Sequence, residues 1–352
     1  MAAAFEQVPH VPICVDGENV ESGSRIIMKE IRPDWDLDKA RCKLFTDGIT
    51  NKLVGWFSGD DGVLVRVYGK NTDRHIDRAA ECRNFKILNY AGHAPDLYAT
   101  FDNGIAYKFI EGETLDTITV REPSVYRLVA RQMAEFHKVD IGDPWTTKPQ
   151  VWDKIEQYFN LIPTTFSSAD NDERFRKTFP QGLPGLRTEI DTVRSTLENI
   201  KSPTVFSHND LLLTNIIVQR NAAGHPAKVA FIDYEYSMPN YQAFDIANHF
   251  IEFAGVQQPD FSLYPGNELR TDWLRIYLEE YLGLPMEPDD SRIGDLKDQV
   301  DLFVNLSHIL WILWAIVQTE YSEIDFDYIG YGEARYTQYL ITKKLLEKVP
   351  HK

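Results

Sequence analysis

The sequence predicts an α+β protein of two lobes, a small antiparallel sheet followed by a larger and mainly helical part. Two observations carry this expectation. Short β-type runs cluster between residues 40 and 110, and after the segment EGETLD the apolar spacing changes to a helical period. A third observation places one exception in the helical part: NIIVQR and KVAFIDYEY, joined by the turn-rich NAAGHPA, read as a hairpin.

In chain order, residues 1–35 carry no usable pattern and are expected to form an N-terminal extension, ahead of a first lobe over 36–112 and a second over 113–352. KLVGWF, VLVRVYG and DLYATFDNGIAYKFI are β-type runs punctuated by Gly, Asp and Asn, with one helical stretch, RAAECRNFKILNYAG, set between them. SVYRLVARQMAEFHKV then spaces Val125, Leu128, Val129, Gln132, Met133 and Phe136 along one mostly apolar face, as an amphipathic helix requires. LRTDWLRIYLEEYL and EARYTQYLITKKLLEKV read likewise, and residues 163–185, rich in Pro, Ser, Asp and Gly, predict a loop with a short helix. LFVNLSHILWILWAIV (302–317) is strongly apolar but falls short of the ~20 residues a bilayer needs and contains Asn305, Ser307 and His308; a buried core helix is expected, with no stable membrane insertion.

Composition narrows the function. A formal charge of −16 over 352 residues leaves no concentrated basic surface, so nucleic acid is not an expected partner. Cys14, Cys42 and Cys82 form no CxxC pair, which fits free thiols rather than disulfides or zinc ligands. The first residues, MAAAFEQVPHVPICVDG, have neither a basic n-region nor a continuous apolar h-region, and a cytoplasmic protein is expected.

The chemistry concentrates in HNDLLLTNIIV (208–218) and the strand that follows. Asp210 falls in a loop, Asn215 begins the hairpin, and Asp233 follows the apolar run VAFI at its other end, so the three side chains can converge at one hairpin mouth. Phosphoryl transfer from ATP needs such a set: a carboxylate to take the proton of the attacking hydroxyl, and an amide and a second carboxylate to hold the magnesium that bridges the phosphates. The D-x-x-x-x-N spacing, with a hydrophobic strand ending in Asp233-Tyr234-Glu235, matches a protein-kinase-like catalytic loop. A turn cap beside an unrelated strand-end Asp would explain each piece singly but not the set.

HNDLLLTN, IDYEYSMPNYQAFDIANHFIEF and LWILWAIVQ together resemble the choline/ethanolamine kinases of the protein-kinase-like superfamily, and NHFIEFAGV followed by SLYP looks like the ethanolamine branch. The resemblance runs from about residue 40 to near the C-terminus. It implies a bilobal protein-kinase-like fold and an ATP- and Mg2+-dependent kinase acting on ethanolamine in the cytoplasm, as the first step of phosphatidylethanolamine synthesis. It also admits a homodimer. Position by position it makes Asp210 the base and Asn215 and Asp233 the magnesium ligands, in agreement with the residue chemistry. His208 and Asn209 stand where protein kinases have His-Arg, so no control by a phosphorylated activation loop is expected, and His208 reads as a structural hydrogen-bonding residue.

On the nucleotide side, DGITNKLVG lacks GxGxxG, but it lies where a phosphate-covering loop belongs, with Gly48 allowing close approach and Thr50 and Asn51 offering donors. Arg66 stands at the position of the kinase strand cation, Glu81 on the next helix can anchor it, and YKFIEGE would present backbone groups of Phe109, Ile110 and Glu111 to adenine. For the acceptor, Trp311 and Trp314 share a helix face, and the family sets this pair beside the amine; the resemblance adds Tyr236, Glu252, Phe326 and Tyr331. Glu252 lies in an apolar segment, where a lone carboxylate is costly, so a cationic partner is expected. Asp245 and His249 read as ties between their helix and the catalytic loop. Two other readings stay open: a choline or dual-specificity kinase, against which Phe253 stands where choline kinases tend to have Trp, and an inactive pseudokinase, against which all three chemical positions are filled.

Overall fold

The computed structural model describes residues 8–45, 51–69, 72–74, 76–142 and 148–349. They fall into two compact units, Met1–Gly112 with Glu323–Phe326, and Glu113–Ser322 with Asp327–Lys352.

The first unit is built on β1 (His10–Val11), α1 (Val20–Ile31), β2 (Arg41–Phe45), β3 (Asn51–Ser58), β4 (Asp61–Tyr68), α2 (Arg78–Tyr90), β5 (Leu97–Phe101) and β6 (Gly104–Lys108). Its sheet runs β1-β5-β6-β4-β3-β2. Strands β2 to β6 pair antiparallel, β2–β3, β3–β4 and β5–β6 through short connections, while β1 lies parallel to β5. Asp77 caps α2 by accepting from Ala80 N at 2.9 Å. Gly104 is required by close approach: a Cβ there would meet the Arg66 carbonyl oxygen at 2.1 Å.

The described residues of the expected N-terminal extension over 1–35 group with this unit, and several of them join its core. Val54, Trp56, Val63, Val65 and Val67 give one sheet face an apolar surface, and Ile27 and Met28 of α1, fully buried, pack against it. The buried Trp56 indole N–H donates to Ser24 Oγ of α1 at 2.9 Å. Asn103 fastens the segment further, pairing both its amide atoms with the backbone of Val15 at 2.8 Å. The segment showed no pattern in sequence because a two-residue strand and a single helix are legible only against the surface they cover.

The second unit contains β7 (Glu113–Thr114), α3 (Pro123–His137), α4 (Val151–Leu161), α5 (Ala169–Thr178), α6 (Gly182–Leu197), β8 (Thr204–Ser207), β9 (Ile216–Arg220), β10 (Pro226–Phe231), β11 (Met238–Tyr241), α7 (Gln242–Ile251), α8 (Asn267–Leu282), α9 (Ser291–Tyr321) and α10 (Tyr328–Thr342). The expected hairpin is β9–β10, to which β7 adds a third strand. A second pair, β8 with β11, brackets the segment that carries Asp210, Asn215 and Asp233 and was not anticipated. The apolar α9 runs 31 residues, and its most apolar window is 89% buried, with α7 and α10 packed along it: it is a core helix.

Because Ser24 is the hydrogen-bond acceptor for a buried indole, Ser24→Ala should cost about 1–3 kcal/mol in urea unfolding. A loss below about 0.3 kcal/mol would mean that α1 does not cover Trp56 in solution.

Candidate active site

The segment between β8 and β9 carries Asp210, and its path is set by one buried carboxylate. Asp245 of α7 accepts from the backbone N–H of His208 (2.8 Å) and of Asn209 (2.7 Å), and the ring of His137 from α3 approaches its Oδ2 at 2.9 Å. Burial pushes the Asp245 pKa up, but His137, His208 and these backbone donors outweigh it, and Asp245 is held below its ordinary value. Asn209 takes a left-handed backbone, φ 64°. Its side-chain amide donates to the carbonyls of Ser207, Tyr236 and Met238, and its oxygen accepts from Asn240 at 2.7 Å. A non-glycine residue persists there because the surroundings over-determine it. His249 Nδ1 sits 3.2 Å from the Leu211 carbonyl, and burial lowers its pKa to about 4, so it is neutral and Nδ1 carries the donated proton. His208 Nε2 contacts the Ile232 carbonyl at 2.9 Å and ties the loop to the end of β10.

Asp210, Asn215 and Asp233 lie at the mouth of the β9–β10 hairpin. Asn215 Nδ2 donates to the Asp210 carbonyl at 2.9 Å, and Asn215 O accepts from Ile232 N at 3.0 Å, which fixes both ends of the hairpin mouth. Asp233, like Asn209, has a left-handed backbone, φ 65°. Burial, and after it the charges of Asp233, Glu252 and Glu235, push the Asp210 carboxyl well above the ordinary range. The carboxylates of Asp233 and Glu235 lie within 4.8 Å of each other. The sequence reading did not select Glu235, although its D-x-E spacing from Asp233 was the available signal.

Four of the amine-pocket candidates form one aromatic cluster. Trp311 and Trp314 are edge-to-face at 5.4 Å between centroids, Tyr236 meets Trp311 at 5.5 Å, and Tyr331 meets Trp314 at 6.1 Å. Both indoles are oriented by their N–H groups: Trp314 donates to Tyr236 Oη at 3.0 Å and Trp311 to Asn248 Oδ1 at 2.7 Å. Glu252, 1% exposed, has the cationic partner its burial demanded, and that partner is Arg335 of α10, 2.7 Å from Glu252 Oε1 and itself 2% exposed. Arg335 also donates to Tyr331 Oη through Nε (2.9 Å) and Nη2 (2.6 Å). Among the described residues, Glu252 Oε2 has no hydrogen-bond partner. Phe326 lies in Glu323–Phe326, which groups with the first unit. Arg335 escaped the sequence reading, though its i,i+4 relation to Tyr331 was visible.

In the first unit, Arg66 of β4 and Glu81 of α2 form a buried ion pair. Arg78, not anticipated, holds the other carboxylate oxygen at 2.9 Å and lies over the Tyr68 ring at 3.7 Å. Asn51 opens β3 and is buried, while Gly48 and Thr50 lie outside the described residues. Phe109 differs in part from expectation: its N–H donates to the Gly62 carbonyl at 2.8 Å and is thereby consumed, and its ring packs edge-on to Phe57 at 5.0 Å. Ile110 is half-buried and Glu111 exposed.

A family model for choline/ethanolamine kinases matches residues 42–340. The chain belongs to the choline/ethanolamine kinase family. It is 42% identical over 346 residues to human ethanolamine kinase 1, covering 96% of this chain and 75% of that protein. Among solved structures, a Plasmodium vivax ethanolamine kinase superposes with a TM-score of 0.81 at 29% identity, covering 94% of this chain and 91% of that one. A Cryptosporidium parvum choline kinase shares the fold, with a TM-score of 0.75 at 24% identity over 92% and 96% of the two chains. The fold is thus the protein-kinase-like one of this family, and the chain is an ATP-using phosphotransferase.

Removing one member of a buried ion pair leaves a naked charge. Arg335→Met should therefore cost about 3–5 kcal/mol in unfolding of the intact chain, and adding Glu252→Gln should recover part of the loss. Equal stability of the single and double variants would contradict the pairing.

Proposed function

We propose that this chain transfers the γ-phosphoryl group of ATP to the hydroxyl of ethanolamine, giving phosphoethanolamine and ADP, the first step of the CDP-ethanolamine route to phosphatidylethanolamine. The observation that carries this reading is Glu252 Oε2. It is a buried carboxylate oxygen with no hydrogen-bond partner among the described residues, attached through Arg335 and Tyr331 to an aromatic cluster. A primary ammonium supplies what that oxygen lacks, an N–H donor carrying positive charge, and the faces of Trp311, Trp314, Tyr236 and Tyr331 attract the same cation. Asp210 feels the charges of Glu252 and Arg335, which supports placing the ammonium and the proton acceptor at opposite ends of one short substrate.

In this reading Asp210 accepts the hydroxyl proton as the substrate oxygen attacks the γ-phosphorus. Asn215, whose Nδ2 is committed to the Asp210 carbonyl, offers its amide oxygen to magnesium together with a carboxylate oxygen of Asp233. A set of hard oxygen donors fits that ion, and Glu235, close to Asp233, would add a further carboxylate oxygen. Magnesium, when bound, neutralises charge on the phosphate oxygens. Arg66, braced by Glu81, supplies a fixed cation for the phosphates, Asn51 a polar side chain beside them, and the backbone of Phe109–Glu111, less the Phe109 N–H, the adenine contacts.

General-base catalysis is typically worth ~10²- to 10⁴-fold, so Asp210→Asn should lower kcat by that range and leave ATP binding intact, measured by steady-state kinetics and by calorimetric nucleotide titration. A comparable loss of nucleotide affinity would make Asp210 a metal ligand first. Glu252→Gln should raise the KM for ethanolamine more than that for choline, whose quaternary ammonium has no N–H to donate. The unmodified protein should turn over ethanolamine faster than choline, and the reverse order would overturn the substrate assignment.

A further inference from the structure

Asn248 of α7 is fully buried, and its side chain bonds to both the catalytic loop and the aromatic cluster. Its Nδ2 donates to the carbonyl of Asn209, the peptide that precedes Asp210, at 3.0 Å. Its Oδ1 accepts from Ser307 Oγ and from Trp311 Nε1, each at 2.7 Å. These partners allow a single orientation of the amide, because two donors require the oxygen and one carbonyl requires the nitrogen. The loop cannot drift away from Asn248, since Asp245 holds the Asn209 N–H and three carbonyls hold its side chain. Trp311 cannot turn, since its indole N–H is committed to the same amide.

We infer that Asn248 fixes the separation between the proton acceptor and the ammonium-facing Trp311, so that the enzyme reads the length of the acceptor amino alcohol as well as its charge. This rests on the acceptor reading proposed above. Asn248 is a positioning residue: it acts through the Asn209–Asp210 peptide and through Trp311. With both ends of the substrate anchored, one added methylene displaces the hydroxyl by about 1 Å, and a misplacement of that size costs on the order of 10²-fold in rate. A site whose two ends are not fastened together absorbs the extra length by moving one end.

The test compares kcat/KM for ethanolamine with that for 3-aminopropan-1-ol. Both carry the same primary ammonium, so recognition of charge cancels in their ratio and the effect of length remains. The unmodified protein should favour ethanolamine by about 10- to 100-fold. Asn248→Ala, which frees the Trp311 indole while Asp245 still holds the loop, should reduce that preference at least fivefold, with the loss for ethanolamine mainly in kcat because the groups that face its ammonium are retained. Should that variant fail to fold, Trp311→Phe deletes the indole donor, keeps an aromatic face, and should also reduce the ratio. A purely structural Asn248 would lower both acceptors by one common factor, and a ratio unchanged in the variants, or near unity in the unmodified protein, overturns the inference alone. Absence of turnover with either acceptor in the unmodified protein overturns the acceptor reading and this inference together.

Discussion

The loop that carries Asp210 is organised around the buried carboxylate of Asp245. Two successive backbone N–H groups, those of His208 and Asn209, point inward at it, and a chain can do this only by taking an unusual local path. The left-handed conformation of Asn209 is that path. Once the loop is so bent, Asp210 faces the hairpin mouth, and Asn215 can reach back to the Asp210 carbonyl. His137 supplies the counterweight that keeps Asp245 ionised in a position where burial alone would favour the neutral acid. Removing the carboxylate would strand two backbone donors and an imidazole at once, and this makes the interaction a condition for the others.

Where the sequence was legible, the reason is locality. Asp210 and Asn215 sit within one short loop, and Asp233 is linked to them by a hairpin whose turn is written in NAAGHPA. Spacing then predicts convergence with no knowledge of the rest of the fold. The two tryptophans of α9 are likewise neighbours by helical period, and the apolar character of that helix all round foretold its burial. The Arg66–Glu81 pair was readable for a related reason, since a strand and the helix that follows it pack together.

What the sequence hid was settled by partners distant along the chain. Arg335 meets Glu252 across 83 residues, and Asn248 meets Trp311 across 63. The burial of Glu252 announced that a cation was needed but could not say from where. The strands β8 and β11 have four residues each, and MPNY carries a proline, so neither shows enough alternation to stand out from a loop. Residues 8–35 were opaque because their role is to cover a sheet face that exists only after folding. That the Phe109 N–H extends the sheet ladder to Gly62 was hidden for the same reason.

The Glu252–Arg335 pair also bears on how the site empties. A carboxylate that waited alone for an ammonium would be a bare anion in an apolar interior each time product left, and that state would oppose departure. Here one oxygen of Glu252 is held by Arg335, and only the other is left for a visitor. Under the acceptor reading proposed above, the vacated pocket is an electrically balanced resting state, and exchange of product for the next substrate does not pass through an isolated buried charge. On that proposal the arrangement trades some grip on a bound amine for ease of release.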